Sequence, residues 1–207
     1  MMTTQRRDLH GLKALVTGAT SGLGRAVALQ LARDGADIAV HDRDATRGNQ
    51  TVEAIQSQGG SAHFVAADLN DAASVTRLAK EAGDIDILVN NAGFAKWGPT
   101  ETFEIASFDA LFAANVRAPF FLVAAFAPGM VTRGTGSIIN ISSMAGRLGL
   151  SGGAHTGPPR RLWLRSLRHG RQNIARVAFG STRLRPARFT RGRRRGNSST
   201  RWGPPPP

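Results

Sequence analysis

The sequence contains no cysteine and no tyrosine. The first absence excludes disulfides and thiolate-bound metals. The second leaves no phenol to give or take a proton. Lysine ends at Lys96 and acidic residues end at Asp109. The first eleven residues are polar and lack the apolar core of a signal peptide. The longest apolar stretch, 118–130, is interrupted by Pro119 and Pro128 and is too short to span a bilayer. These absences predict a soluble, cytoplasmic chain with no membrane partner.

What is present divides the chain in two. Residues 1–154 carry 13 Lys and Arg against 14 acids, whereas 155–207 carry 14 Arg, no Lys and no acid. The formal charge of +13 therefore belongs to the last quarter of the chain. A run of this kind binds phosphates in a salt-dependent way. It has few interleaved aromatics, only Trp163, Phe179, Phe189 and Trp202, and such runs are more often incidental tails than nucleic-acid readers. Residues 1–154 read as one domain and 155–207 as an irregular Arg/Pro/Gly-rich tail.

Apolar residues 14–16 lead into Thr17-Gly18-Ala19-Thr20-Ser21-Gly22-Leu23-Gly24, and residues 25–32 follow at helical spacing. This predicts a strand, a glycine-rich turn and a helix N-terminus. Such a turn offers backbone N–H groups and the positive end of a helix dipole to an anion. Further strands are predicted over 37–40, 62–66, 85–89 and 136–141, and helices over 24–34, 44–58 and 107–126, with another capped by Asn70 or Asp71. Strands alternating with helices give a parallel sheet covered on both faces. The glycine turn, Asp42, Asp68, Asn90-Asn91-Ala92-Gly93 and Ser142-Ser143 all fall at the carboxyl ends of predicted strands. That edge is where such sheets bind ligands. Asp42 lies 18 residues beyond Gly24, near the spacing of an acid that accepts from a ribose diol and repels a 2′-phosphate. It favours NAD over NADP, and the adjacent Arg43 softens that choice.

The glycine turn, Asp68-Leu69, Asn90-Asn91-Ala92-Gly93, Asn115 and Asn140-Ile141-Ser142-Ser143 stand in an order and spacing that resemble the short-chain dehydrogenase/reductase family over residues 12–154. The resemblance implies an α/β, Rossmann-like doubly wound parallel sheet, here truncated after its fifth strand. It implies NAD or NADP as cofactor, hydride transfer between a small alcohol and a carbonyl substrate, and a homo-oligomer. It places Gly18, Ser21, Gly22, Leu23 and Gly24 at the pyrophosphate and Asp68 and Leu69 at the adenine. Asn91, Ala92 and Gly93 would back the adenosine ribose. Ser143 matches the serine that hydrogen-bonds the substrate oxygen, and Asn115 matches the helix asparagine that holds a proton-relay water. Phe94, Lys96 and Trp97 read either as the near wall of a substrate pocket or as loop packing.

The family pattern breaks after Ser143. The family's tyrosine should follow by thirteen positions and its lysine four later, but Thr156 and Arg160 stand there. Losing a positioned general acid/base costs about 10²–10⁴-fold. Threonine does not titrate near neutrality, and arginine does not reproduce a compact lysine contact. His155, one residue away, differs in direction and reach. The break coincides with the change in composition, and one hypothesis covers both. His155-Thr156-Gly157-Pro158-Pro159-Arg160-Arg161 back-translates so that a frame displaced by one nucleotide encodes Ala-Tyr-Gly-Ala-Ser-Lys-Ala. A frameshift near Ala154 would remove the helix that carries the Tyr and Lys and helps build the oligomer interface. It would leave the fifth strand as a bare sheet edge and the product prone to aggregate. Such a frameshift is either natural or a product of sequencing, and resequencing the gene across the Ala154 codon decides between the two. Independent clones that read His155-Thr156 in an intact frame would exclude a sequencing error.

Overall fold

A computed structural model describes residues 8–142 and the pair 182–183. Its elements run in chain order as β1 (Lys13–Thr17), α1 (Gly22–Arg33), β2 (Asp37–Asp42), α2 (Ala45–Gln56), β3 (Ser61–Ala66), α3 (Ala72–Ala82) and β4 (Ile87–Asn90). Then follow α4 (Ile105–Phe112), a π turn (Ala113–Arg117), α5 (Ala118–Arg133), β5 (Ser137–Asn140) and β6 (Thr182–Arg183). The strands form one sheet in the order β3-β2-β1-β4-β5-β6. The first five are parallel, with Val16 opposite both Val40 and Val89, so the expected α/β, Rossmann-like sheet is what the chain forms.

Strand side chains alternate between faces, and that alternation builds three layers. Ala14, Val16, Ile38, Val40, Ile87 and Val89 point to one side, where Ala28 and Ala32 of α1 and Ile55 of α2 meet them. Leu15, Ala39, Val65, Leu88 and Ile138 point to the other, against Leu78 of α3 and Leu122, Phe126 and Met130 of α5. Of the two caps expected as alternatives, Asn70 or Asp71, it is Asp71 that caps α3: its carboxylate accepts from the N–H groups of Ala73 and Ser74 at 3.2 and 2.9 Å. Asp44 caps α2, its carboxylate accepting from Arg47 N–H at 3.1 Å.

Two expectations are corrected. The helix read as 107–126 is a continuous helical run, Ile105–Arg133, of 29 residues. It is long and apolar enough to cross a membrane by length and composition, so the limit drawn from 118–130 was too short. Neither proline ends it: Pro119 stands in the first turn of α5, directly after the π turn, and Pro128 lies inside α5. In this fold the run is a core helix: Leu111, Ala118, Leu122 and Met130 are fully buried. The second correction concerns the sheet edge. β6 pairs antiparallel with β5, Ile138 opposite Thr182 and Ser137 opposite Arg183, so part of the β5 edge has a partner. Unpaired edge groups favour such pairing.

The face assignment of α5 can be tested directly. Leu122→Ala is expected to cost about 3 kcal/mol, since it leaves a cavity between helix and sheet. Val131→Ala, on the outer face, is expected to fall within about 0.5 kcal/mol of the parent. Urea denaturation of the two variants measures both.

Candidate functional site

The strand order reverses between β1 and β4, and the turns leaving those strands diverge to opposite faces of the sheet. The cleft between them holds about 380 Å³, within the range of small-molecule sites.

The glycine turn forms its floor. Gly18 and Gly22 have φ of +63° and +51°, a region that side chains with a Cβ rarely adopt. Gly24 is needed for another reason: a Cβ there would overlap the Gly18 carbonyl oxygen and Asn91 Nδ2. A Cβ on Gly22 would meet nothing within 4 Å, because that position faces open cleft. Ser21 makes no side-chain capping bond to α1 and the first turn holds no acid. The positive end of the helix is therefore not neutralised internally, and its first N–H groups remain for an anion. A phosphate-bearing ligand fits this cradle.

Thr17 and Asn91 lock the turn to β4. Thr17 Oγ1 donates to the Val89 carbonyl at 3.3 Å and accepts from the N–H groups of Asn91 and Ala92, each at 3.0 Å. Asn91 Nδ2 donates to the carbonyls of Thr17 and Gly18 at 3.0 and 3.2 Å.

Asp42 stands at the far end of the cleft. Its Oδ2 accepts from Thr20 Oγ1 at 2.6 Å, and its Oδ1 accepts from the N–H groups of Arg43 and Asp44 at 2.7 and 3.3 Å. Burial alone would raise its pKa. The bonds from Thr20, Asp44 and Arg43 and the neighbouring His41 outweigh that and hold the carboxyl below its ordinary value. Arg47 Nη2 lies 4.0 Å from Asp42 Oδ1, while Arg47 Nε donates to Asp44 at 2.8 Å.

Gly18, Ser21, Gly22, Leu23, Gly24, Asp42, Asp68, Leu69, Asn91, Ala92 and Gly93 all line the cleft. Asn115 does not. It sits in the π turn, 5 % exposed, with Oδ1 accepting from Phe94 N–H at 3.1 Å and Nδ2 donating to the Phe94 carbonyl at 2.9 Å. Its neighbour Ala114 and the clasped Phe94 line the cleft instead. Lys96 bonds Glu104 and Ser107 at 2.8 and 2.7 Å, and Trp97 is exposed. Ser143, His155, Thr156 and Arg160 lie outside the described residues, as does the tail apart from 182–183.

Sequence reasoning missed four lining residues: His41, Arg47, Asn70 and Ala114. His41 was visible only as the last residue before the strand-end acid. Arg47 lies three residues past the cap of α2, so it lies one helical turn from Asp44, a relation that spacing from the glycine turn does not reveal.

A family model described as short chain dehydrogenase matches residues 12–155. An uncharacterized oxidoreductase of Thermotoga maritima is 39% identical over 145 residues, covering 69% of this chain and 58% of its own length. The chain thus spans little more than half of that relative. A gluconate 5-dehydrogenase from Burkholderia cenocepacia, solved with NADP and tartrate, is 32% identical with a TM-score of 0.72, over 79% of this chain and 65% of its own. A 7α-hydroxysteroid dehydrogenase, solved with NADH and 7-oxo glycochenodeoxycholic acid, is 31% identical with a TM-score of 0.75, over 81% and 67%.

Because Asp42 is held below its ordinary pKa, its contribution to stability is complete above the unfolded carboxylate value and is lost as pH falls through the lower folded value. Asp42→Asn is expected to flatten the acid limb of the thermal-unfolding profile below about pH 4. Melting temperatures across that range check it.

Proposed function

The chain belongs to the short chain dehydrogenase family, and on that premise we propose that its cleft binds a nicotinamide dinucleotide. The observation that carries this reading is the uncapped N-terminus of α1, presented by Gly18 and Gly22 opposite the carboxylate of Asp42 in one cleft. The pyrophosphate would lie on the N–H groups from Ser21 to Gly24. Asp68 and Leu69 would flank the adenine. Asn91, Ala92 and Gly93 would form the wall behind the ribose.

Asp42 decides the cofactor. Its Oδ2 keeps a lone pair to accept from a hydroxyl of a ribose diol, and the ionised carboxylate repels a 2′-phosphate. Arg43 and Arg47 also line the cleft, but Arg47 is paired with Asp42 and Asp44. The local balance therefore favours NAD over NADP.

A bound nicotinamide supplies or accepts the hydride exchanged with an alcohol or carbonyl substrate. This chain's own contribution to that chemistry is incomplete. Ser143 would hold the substrate oxygen, and Asn115 would fix the Phe94 backbone at the pocket wall and the relay beside it. Thr156 and Arg160 do not supply the proton transfer or the lysine contact. The proposed protein is thus a cytoplasmic dinucleotide binder of dehydrogenase descent with impaired turnover and a weakened homo-oligomer interface. The frameshift near Ala154 accounts for the impairment.

Fluorescence titration with NADH and NADPH is expected to show saturable binding with NADH preferred. Asp42→Ala is expected to weaken NADH about tenfold and to narrow or reverse the preference. Turnover with a panel of secondary alcohols and ketones is expected to fall about 10²–10⁴-fold below that of the frame-restored protein. Comparable turnover of the two proteins would refute the assignment of impairment to Thr156 and Arg160.

A further inference from the structure

His41 is the one histidine of the described core, 2 % exposed, at the β2 position that faces the glycine turn. It makes three contacts to two separate segments. Its carbonyl accepts from Ala19 N–H at 3.0 Å. Its ring Nδ1 lies 3.4 Å from the Gly18 nitrogen, and its Nε2 lies 3.2 Å from the Ala67 carbonyl oxygen.

The partners settle the tautomer. Gly18 offers only an N–H, so Nδ1 must accept; Ala67 offers only a carbonyl, so Nε2 must carry the proton. Two successive N–H groups of the turn, those of Gly18 and Ala19, are thus taken up by one residue. Their engagement on His41 orients the turn so that the later N–H groups point into the cleft. The Ala67 carbonyl ties the same ring to the chain just before Asp68 and Leu69.

We propose that His41 is a positioning residue of the cleft: in its neutral Nε2–H form it clamps the glycine turn to the segment after β3, and a second proton opens the clamp and lowers dinucleotide affinity. The reason is direct. A proton on Nδ1 would face the Gly18 N–H, setting donor against donor. This inference rests on the dinucleotide reading of the cleft.

The charged groups facing the ring are Asp42 on its own strand and Asp68 beyond β3, and both favour the imidazolium. The turn brings Thr17, Gly18 and Ala19, which carry no charge. Burial opposes the second proton and outweighs the Ala67 bond and both carboxylates, so the pKa lies below that of a free histidine. The clamp is therefore closed at neutral pH and opens on acidification.

The test uses the full chain. Long-range proton–nitrogen spectra of the imidazole are expected to show the Nε2–H tautomer at about pH 8. Calorimetric titration with ADP-ribose is expected to show affinity falling at least about twofold between about pH 8 and about pH 5, with the fall lying below the free-histidine value of about 6.5. His41→Asn places an oxygen near the Nδ1 position and cannot titrate. It keeps the acceptor for Gly18 but not the Ala67 bond, so it is expected to bind more weakly than the parent, more tightly than His41→Leu, and to lose the acid-side fall. His41→Leu is expected to bind about tenfold more weakly at both pH values. An Nδ1–H tautomer, or an acid-side fall kept by His41→Asn, would overturn the proposal. Absence of ADP-ribose binding at the higher pH would sink the dinucleotide reading together with the affinity claim, while the ring spectrum decides the clamp separately and without any variant.

Discussion

The joint between Thr17 and Asn91 is the constraint on which the cleft depends. A threonine hydroxyl has one proton to give and two lone pairs. All three are spent here, on the Val89 carbonyl and on the N–H groups of Asn91 and Ala92. The asparagine answers with two bonds to the carbonyls of Thr17 and Gly18. The two central strands are thereby fixed at the point where their following helices leave for opposite faces. Gly24 carries no Cβ because Asn91 Nδ2 and the Gly18 carbonyl occupy its space. One hydrogen-bonded joint thus determines the backbone approach, the entry of α1 and the opening of the cleft.

The cleft walls were legible because they are made by local chemistry at fixed strand ends. Glycine, Asp and Asn at the ends of apolar runs can be placed by period and spacing alone. Asn115 shows where that method stops. Its residue type and position marked it as functional, but its side chain is consumed by the Phe94 backbone, 21 residues away in sequence. Whether an amide faces a cavity or clasps a loop depends on the π turn that carries it. A wider helical turn has no sequence period of its own to read. His41 is the converse case. A strand position one residue before an acid reads as ordinary core, and only the third dimension brings Gly18 and Ala67 to its two nitrogens.

The acids of the cleft also act as a set. Asp42 is bonded by a hydroxyl and two N–H groups, so it is ionised and oriented before any ligand arrives. That preorganisation lowers the cost of ordering at binding. The same carboxylate favours a proton on His41, and burial of the ring resists it. The end of β2 therefore carries a fixed negative charge beside a neutral ring, an arrangement that holds near neutral pH.

Burial across the sheet explains why binding and turnover should fail separately. Four residues of β1, four of β2 and all four of β4 are buried, whereas β5 has only Ile138 in that class. The described cleft is built mainly on the well-covered strands β1, β2 and β4, with the edge strand β3, of which two residues are buried, beside them. Ser143, proposed to hold the substrate oxygen, follows β5, where coverage is least and where the family pattern is about to end. Protection from water sets how readily a region opens. A defect beyond β5 therefore falls first on the geometry that would hold substrate and proton. The joint at Thr17 and Asn91 lies between β1 and β4, inside β5 in the sheet, so the proposed dinucleotide cradle is built from strands other than the one after which the catalytic pair is missing.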